Sequence, residues 1–307
     1  MLCLIRMSTQ KVFIILLNWN NWNETRECLA SLRKVTYDNF EVIVVDNGSE
    51  EEEREKIRSV HTTYSIQHTI YSDTNLGFAG GNNVGIRYAL ERGADYIMLL
   101  NNDAIAAPDF LTELVEAAES DPSYGILGSK IYKHGTKGVA FAGGRVNAFL
   151  TKGSHTTYNI QYTTYYPVDY ITGAAMLVKR EVIEKVGLMR EEYFLYYEDV
   201  DWCLRARNAG YRCILVPASK AWHKVSATNK EGSPSYIYYH TRNALMLAKL
   251  NGNIFQTTIP YFIGAWILCK QIPKFFLMPS KRLWVTSMTR GVLDFYKGKC
   301  GRYENRD

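Results

Sequence analysis

The chain predicts an α/β fold, a mainly parallel sheet flanked by helices, followed by an apolar and basic helical stretch at the C-terminal end. Three observations predict it. Apolar runs at residues 12–17, 41–45 and 96–100 alternate with stretches of helical periodicity, the pattern of repeated strand and helix units. Each run ends in a cluster of Asn, Asp or Ser, as strands do where an open sheet meets its ligand crevice. The length of 307 residues, 47% of them hydrophobic, suits one large domain with an appendage or two small domains.

Taken in order, residues 12–17 form a strand, residues 24–34 a helix whose Cys28, Leu29 and Leu32 share one face, and residues 41–45 the strand that completes a βαβ unit. The acidic run 50–55, five Glu and one Arg, reads as a solvated helix start or loop without chemistry. A strand at 65–71 precedes the Gly-rich residues 77–81, a helix at 82–92 and the strand 96–100. Pro108 sets the first turn of a helix that reaches Ser120. Beyond Gly125 the pattern loosens into Gly-rich turns at 135–144 and a Thr/Tyr-rich stretch at 156–170. An apolar segment at 170–178, a short helix at 180–186, a helix at 199–209 and a strand at 211–216 follow. Residues 235–250 are helical in pattern, and residues 254–290 are apolar, aromatic and basic.

Six cysteines, at 3, 28, 203, 213, 269 and 300, show no C-x-x-C and no spacing with His that suits zinc, so neither a disulfide framework nor a structural metal is expected. Reduced thiols and a cytoplasmic location are the corresponding expectation. The N-terminal apolar run has six residues and no small-residue cleavage site, which makes it a buried strand and not a secretory signal. A net charge of +5 conceals an asymmetry: from Lys270 onward nine Lys/Arg face three acids. The basic character belongs to that apolar, aromatic end, and no nucleic-acid partner is expected.

Three strand ends should open on one edge of a parallel sheet: Asn18-Trp19-Asn20, Asp46-Asn47-Gly48-Ser49 and Asn101-Asn102-Asp103. A carboxylate such as Asp46 can accept the N3 proton of uracil or thymine, and Asn or Ser can reach a ribose hydroxyl; an Asx turn is the competing reading. Asp103, where an apolar strand runs out, is a candidate metal ligand. Residues 75–83, Asn-Leu-Gly-Phe-Ala-Gly-Gly-Asn-Asn, form a candidate diphosphate loop, because glycines let backbone N–H groups approach and the next helix offers its positive end. The stretch matches neither the P-loop nor G-x-G-x-x-G. Glu198-Asp199-Val200-Asp201-Trp202 opens a helix and suits either a cap favoured by the macrodipole or a general base kept ionised by helix N–H groups. His223, beside Trp222, suits either a packed polar residue or the second ligand that a lone Asp103 lacks.

Seven segments in order, I-L-L-N-W-N, V-V-D-N-G-S, N-L-G-F-A-G-G-N-N, L-L-N-N-D, T-G-A-A-M-L-V-K-R, E-D-V-D-W and A-W-H, resemble the family 2 glycosyltransferases of GT-A fold, and within them the rhamnosyltransferase-like branch, across residues 11–245. The resemblance implies a GT-A-type, Rossmann-like domain at 1–250, with a nucleotide-binding half at 11–125, an acceptor half at 126–250 and a C-terminal extension at 251–307. It implies inverting, divalent-metal-dependent sugar transfer from a dTDP- or UDP-linked donor, rhamnose in this branch, to a hydroxyl of a glycan or lipid-linked glycan. Asp199 is then the catalytic base, Glu198 and Trp202 line the acceptor pocket, and Gly173 with Ala174 lets backbone approach the sugar. Asp103 and His223 hold Mg2+ or Mn2+. The nucleotide falls to Asn18, Asn20, Asp46, Asn47, Ser49, Asn75, Gly77, Gly80, Gly81, Asn82 and Asn102, with Asp46 reading the base. Two positions depart from the family pattern: Asn101 replaces the first Asp of D-x-D, and Asn82 stands where many members carry an Arg toward the diphosphate. The aromatic residues at 193–197 suit either stacking on sugar faces or the core.

Two other classes stay open. A nucleotidyltransferase uses a similar sheet but wants a Gly-rich loop with Arg and Lys after the first strand, which residues 18–23 lack. A non-catalytic nucleotide- or carbohydrate-binding protein keeps the pocket without turnover. Specificity is expected to rest on the loops at 135–170. The apolar run 259–269 contains Pro260 and stops at Lys270, well short of the about 20 residues that span a bilayer core. With Lys274, Phe275, Phe276, Lys281, Arg282 and Trp284 it suits lying on an anionic membrane surface, so a peripheral position on the cytoplasmic face is expected; packing on the domain and an oligomer contact are the alternatives.

Overall fold

The structure, a computed structural model, describes residues 10–59, 66–147, 152–156, 165–224, 232–252 and 256–303. Apolar runs buried on both faces build the centre of a ten-stranded sheet. Strands β1 (Val12–Asn18), β2 (Phe40–Asn47), β3 (His68–Ser72) and β4 (Tyr96–Asn101) all run parallel, in the order β4-β1-β2-β3. Their crossovers are helices α1 (Trp22–Leu32), α2 (Glu51–Ser59) and α3 (Gly77–Glu91). The acidic run at 50–55 is the start of α2, where Glu51, Glu52 and Glu53 sit at the positive end of the helix. The helix expected at 82–92 begins at Gly77, so the glycines lie in its first turns and not in a loop ahead of it.

The second half extends the sheet beyond β4. In chain order come β5 (Ala104–Ala106), α4 (Phe110–Ser120), β6 (Tyr124–Lys133), β7 (Val139–Phe141), β8 (Gly144–Asn147), β9 (Lys152–His155), β10 (Tyr166–Val168), β11 (Ala175–Lys179), α5 (Arg180–Val186), α6 (Glu198–Asn208) and β12 (Arg212–His223). Strand β11 inserts antiparallel between β4 and β6, while β6 and β12 pair parallel. The whole order is β10-β12-β6-β11-β4-β1-β2-β3, with β5 on β12 and β7 on β6. Parallel pairing therefore dominates the first half, and the second half is mixed. Strand β6 has no clear signature because Gly125, Gly128, Ser129 and Lys130 interrupt its apolar residues. The strand expected at 211–216 continues to His223 through a register shift after Val216, where Pro217 interrupts the ladder. Residues 157–164 of the Thr/Tyr-rich stretch, and residue 65 of the expected third strand, lie outside the described residues.

Helix α7 (Pro234–Asn251) starts at Ser233, whose Oγ accepts from Tyr236 N at 3.2 Å. Helices α8 (Ile259–Leu277) and α9 (Arg282–Tyr296) fold back on α7, and Val292 and Phe295 join the main core. Close approach of α9 to α7 needs Gly291, where a Cβ would stand 2.9 Å from Tyr238 O. Among the described residues no helix is long and apolar enough to cross a membrane.

Candidate active site

Parallel register puts the ends of β1, β2 and β4 side by side: Asn18 faces Asp46, and Leu17 faces Asn101. Side chains then lace the three loops together. Asn102 Nδ2 donates to Thr25 Oγ1 at 2.9 Å, Thr25 Oγ1 to Asn18 Oδ1 at 2.8 Å, and Asn18 Nδ2 to Asp46 Oδ1 at 3.3 Å. Asp46 Oδ2 takes the Arg54 Nε at 3.0 Å and the Ser49 N–H at 3.3 Å, and Arg54 also donates to Ser72 O. Asp46 is 0% exposed. Its two oxygens are engaged beneath the surface, one by Asn18 and the other by Arg54 and Ser49. Arg54, hidden in a run of glutamates, is the partner that a charge pattern alone does not reveal. Asn20 stays exposed at φ +50°, its N–H donating to Ser49 Oγ at 2.9 Å.

Asn47 and Asn75 shape the entry to α3. Asn47 Oδ1 accepts from Leu76 N at 3.0 Å, its Nδ2 donates to Gly77 O at 3.0 Å, and Asn75 Oδ1 accepts from Gly77 N at 2.8 Å. Gly77 has φ +76°, and a Cβ there would stand 2.3 Å from Phe194 O, which accepts from Phe78 N at 2.6 Å. A Cβ on Gly81 would stand 2.4 Å from Leu17 Cδ1. The tight approaches at Gly77, Gly80 and Gly81 within the chain are to Phe194, Leu76 and Leu17. Asn82 is also turned away, with its Nδ2 bonded to Phe78 O one turn back at 2.9 Å.

The short strand β5 pairs with the end of β12 and sets Ala104 opposite His223. That pairing brings together two residues far apart in sequence: His223 Nε2 lies 2.9 Å from Asp103 Oδ1 and 3.0 Å from Asn101 Nδ2. A separation of 2.9 Å suits neighbouring positions on one octahedral ion with bonds of about 2.0–2.1 Å. Among the described residues no group of three or more His, Cys, Asp or Glu could hold a metal. The protein share of such a shell is therefore one carboxylate and one imidazole, a set that an ion bound jointly by diphosphate oxygens fits.

Asp199 stands at the first turn of α6, where its Oδ1 accepts from Val200 N at 2.7 Å and its Oδ2 from Gly173 N at 3.0 Å. The next residue, Ala174, accepts from Asn101 N at 3.0 Å. One strip of backbone thus links Asp199 to the Asp103 and His223 pair. Burial pushes the Asp199 carboxyl above its ordinary range, opposed by the two N–H groups. Glu198, buried and with its Oε2 unpartnered, is pushed well upward by burial and by the Asp199 charge.

Trp202 is internal. It is 0% exposed, and its Nε1 donates to Gly187 O at 2.8 Å. Asp201 is equally internal, accepting from Arg190 at 2.7 Å, Arg205 at 2.8 Å, Tyr193 OH at 3.2 Å and Asn251 at 2.9 Å. The aromatic run divides: Tyr193 and Tyr197 are core, while Phe194 and Tyr196 keep partial exposure.

Phe194, Tyr196 and Tyr197 all have positive φ, at 65°, 68° and 74°. Two buried residues of α7, unmarked by any sequence signal, hold them. Asn243 Nδ2 lies within 3.0 Å of the carbonyls of Tyr193, Leu195 and Tyr196. Arg242 matches its five N–H groups with five acceptors: Asn243 Oδ1, Tyr238 OH, and the carbonyls of Gly301, Glu192 and Tyr193.

Comparison with known proteins gives a consistent result. Residues 13–187 match the family model described as Glycosyl transferase family 2. The chain is 26% identical to the low-salt glycan biosynthesis hexosyltransferase Agl10 of Haloferax volcanii, over 95% of this chain and 92% of that protein. It is 26% identical to the dTDP-rhamnosyl transferase RfbF of Shigella flexneri, over 78% of this chain and 80% of that one. Among solved structures, that of GalNAc-T7 with UDP, GalNAc and Mn2+ shares the fold at a TM-score of 0.66 and 14% identity, over 94% of this chain and 56% of that one.

The site generates two predictions. Asn243→Ala should cost about 2 kcal/mol or more of unfolding free energy in urea, since several buried carbonyls lose their donor. Asn243→Asp, the same shape with an acceptor in place of the amide, should cost at least as much, and a neutral result for both would contradict the clamp. For Glu198, a raised carboxyl value in the folded state means stability that is complete below the ordinary glutamate range and lost as pH rises through the raised value. Glu198→Gln should therefore gain melting temperature relative to the unmodified chain as pH rises from about 5 to about 8; a pH-independent difference would contradict this.

Proposed function

Because the chain belongs to glycosyl transferase family 2, we propose that it transfers a sugar, with inversion, from a dTDP- or UDP-linked donor to a hydroxyl of a glycan or lipid-linked glycan. Family membership leaves no role for the nucleotidyltransferase alternative. The observation that carries the proposal is the continuous link from Asp199 through Gly173, Ala174 and Asn101 to His223 and Asp103. A base and a phosphate-facing metal pair must flank a transferred sugar on opposite sides, and this link sets them about one short backbone strip apart. Rhamnose is favoured as the sugar by the similarity to the dTDP-rhamnosyl transferase.

In this reading Asp199 accepts the proton of the acceptor hydroxyl as its oxygen attacks the anomeric carbon on the face opposite the nucleotide, which inverts that centre. Its raised carboxyl value makes it a stronger base once ionised. The N–H groups of Gly173 and Val200 hold the carboxylate in one orientation. Asp103 and His223 are the residues that would hold Mg2+ or Mn2+, which when bound neutralises charge on the departing diphosphate; the Mn2+ in the GalNAc-T7 structure supports a divalent ion. The candidate nucleotide contacts are Asp46 for the base with Asn18, Asn47 and Ser49 beside it, Asn75 with the start of α3 at Gly77, Gly80, Gly81 and Asn82, and the partly or fully exposed Asn20 and Asn102.

We read residues 251–307 as an extension that lies on an anionic membrane surface. Phe262, Trp266, Ile272, Phe276 and Leu277 are exposed, the last by 79%, beside Lys270, Lys274, Lys281 and Arg282, a combination that favours an interface. A lipid-linked acceptor gives that location a use.

Asp199→Asn keeps the shape but accepts no proton, so turnover should fall roughly 10²- to 10⁴-fold with donor affinity little changed. Near-normal turnover would reject Asp199 as the base. Chelation with EDTA should abolish transfer, and Asp103→Ala and His223→Ala should each weaken metal-dependent binding of the nucleoside diphosphate in calorimetry. Full activity in EDTA would reject the metal assignment.

A further inference from the structure

Between α8 and α9 lies a groove of about 830 Å³, within the range of roughly 300–1,000 Å³ typical of small-molecule sites. Its wall is apolar: Leu268, Ile272, Phe275, Phe276, Val285 and Leu293. Its other lining is polar, with Arg290, Lys297 and Lys299 against a single acid, Asp294, whose Oδ2 accepts from Tyr238 OH at 2.8 Å and lies 3.8 Å from Arg290 Nε. Gln271 also lines the groove; it is 4% exposed, and its Oε1 is a buried acceptor without a partner.

We infer that this groove binds one hydrocarbon chain of a membrane lipid whose phosphate headgroup meets Arg290 and Lys297. Three features choose that occupant. The wall is apolar, as a hydrocarbon chain requires. The cations at its polar lining outnumber the one acid, which favours an anionic headgroup. Phe276, exposed by 70%, lies both in the wall and on the outer apolar surface, so the groove opens where the extension presents Leu277 and Leu283. A chain drawn in from the bilayer would not have to cross water. The polar lining is also tied to the catalytic half: Tyr238 joins Asp294 to Arg242, which holds the carbonyls of Glu192 and Tyr193. The inference rests on the reading of residues 251–307 as membrane-facing, and it converts a general surface attraction into a specific anchor.

The test uses the full chain with dodecyl phosphate below its micelle concentration, inorganic phosphate, and vesicles containing anionic lipid. Dodecyl phosphate should bind saturably at one per chain in calorimetry, and inorganic phosphate at equal concentration should not. Leu293→Trp, which fills the slot, and Arg290→Ala should each weaken dodecyl phosphate binding about tenfold or more, with Ile272→Ser as a second wall variant in case the Trp variant misfolds. Equal heats from inorganic and dodecyl phosphate, or unchanged affinity in the wall variants, would overturn the groove. Vesicle cosedimentation separates the two readings. A chain that sediments with vesicles yet ignores dodecyl phosphate overturns the groove alone, while one that binds dodecyl phosphate but not vesicles keeps the groove and removes the membrane surface.

Discussion

Three side chains between Tyr193 and Glu198 sit in left-handed backbone, a conformation that costs about 1–3 kcal/mol at each non-glycine residue and persists only where the surroundings over-determine it. Arg242 and Asn243 supply that over-determination from α7, by donating to the carbonyls that the distorted chain turns inward. Much of the site depends on this. The Phe194 carbonyl receives the Phe78 N–H and lies against Gly77, so the start of α3 is seated on the same segment. Tyr197 is the residue from which α6 departs, and the direction of that departure aims Asp199 at Gly173. A buried guanidinium with only neutral hydrogen-bond acceptors is an expensive way to brace a loop, and its five matched donors, with Tyr238 and Tyr239 rings 5.2 and 5.3 Å away, are what make it tenable.

The clamp also explains why the C-terminal residues cannot be treated as a passive appendage. Arg242 reaches Gly301 O, Gly301 N returns to Glu192 O at 3.1 Å, and Tyr303 N donates to Tyr239 OH at 2.7 Å. The chain end is therefore part of the scaffold of the segment that precedes Asp199. Strand β5 plays the matching role on the other side, since three residues of pairing with β12 decide that Asp103 and His223 meet.

Much of the first half was legible because burial on both faces of a parallel sheet demands unbroken apolar runs, and β1, β2 and β4 have them. The joint edge of their loops followed from parallel direction alone. Asp103 and His223 were legible as residue types, through family resemblance, but their contact depends on β5 and on the extension of β12 past Pro217, which local patterns do not encode. Side chains read one at a time do not show the partners the fold gives them. Asp46 looked available because its partner Arg54 hides among glutamates whose collective charge suggested solvent. Gly80, Gly81 and Asn82 suggested a cradle, whereas a glycine's small size serves helix-on-sheet packing just as well. Trp202 stands one helical turn from Glu198 and Asp199, a spacing that shares a face, and its full burial against Gly187 is set by tertiary packing that sequence spacing does not reveal.

Glu198 and Asp199 raise the question of which carboxylate ionises, since two side by side in protein interior do not both do so without cost. Position does not decide it, because both belong to the first turn of α6 and feel the same helix end. Partners decide it. Asp199 accepts two backbone N–H groups and keeps partial solvent access, while an oxygen of Glu198 has no donor at all. Asp201, the third acid of the turn, is held by Arg190 and Arg205. Each of three neighbouring acids is thereby given a different environment: one ion-paired, one pushed well upward with an unpartnered oxygen, and one raised by burial yet held by two backbone N–H groups. Three acids within four residues thus differ because the fold distributes hydrogen-bond donors unequally among them, and it is this inequality on which the proposal of Asp199 as the base rests.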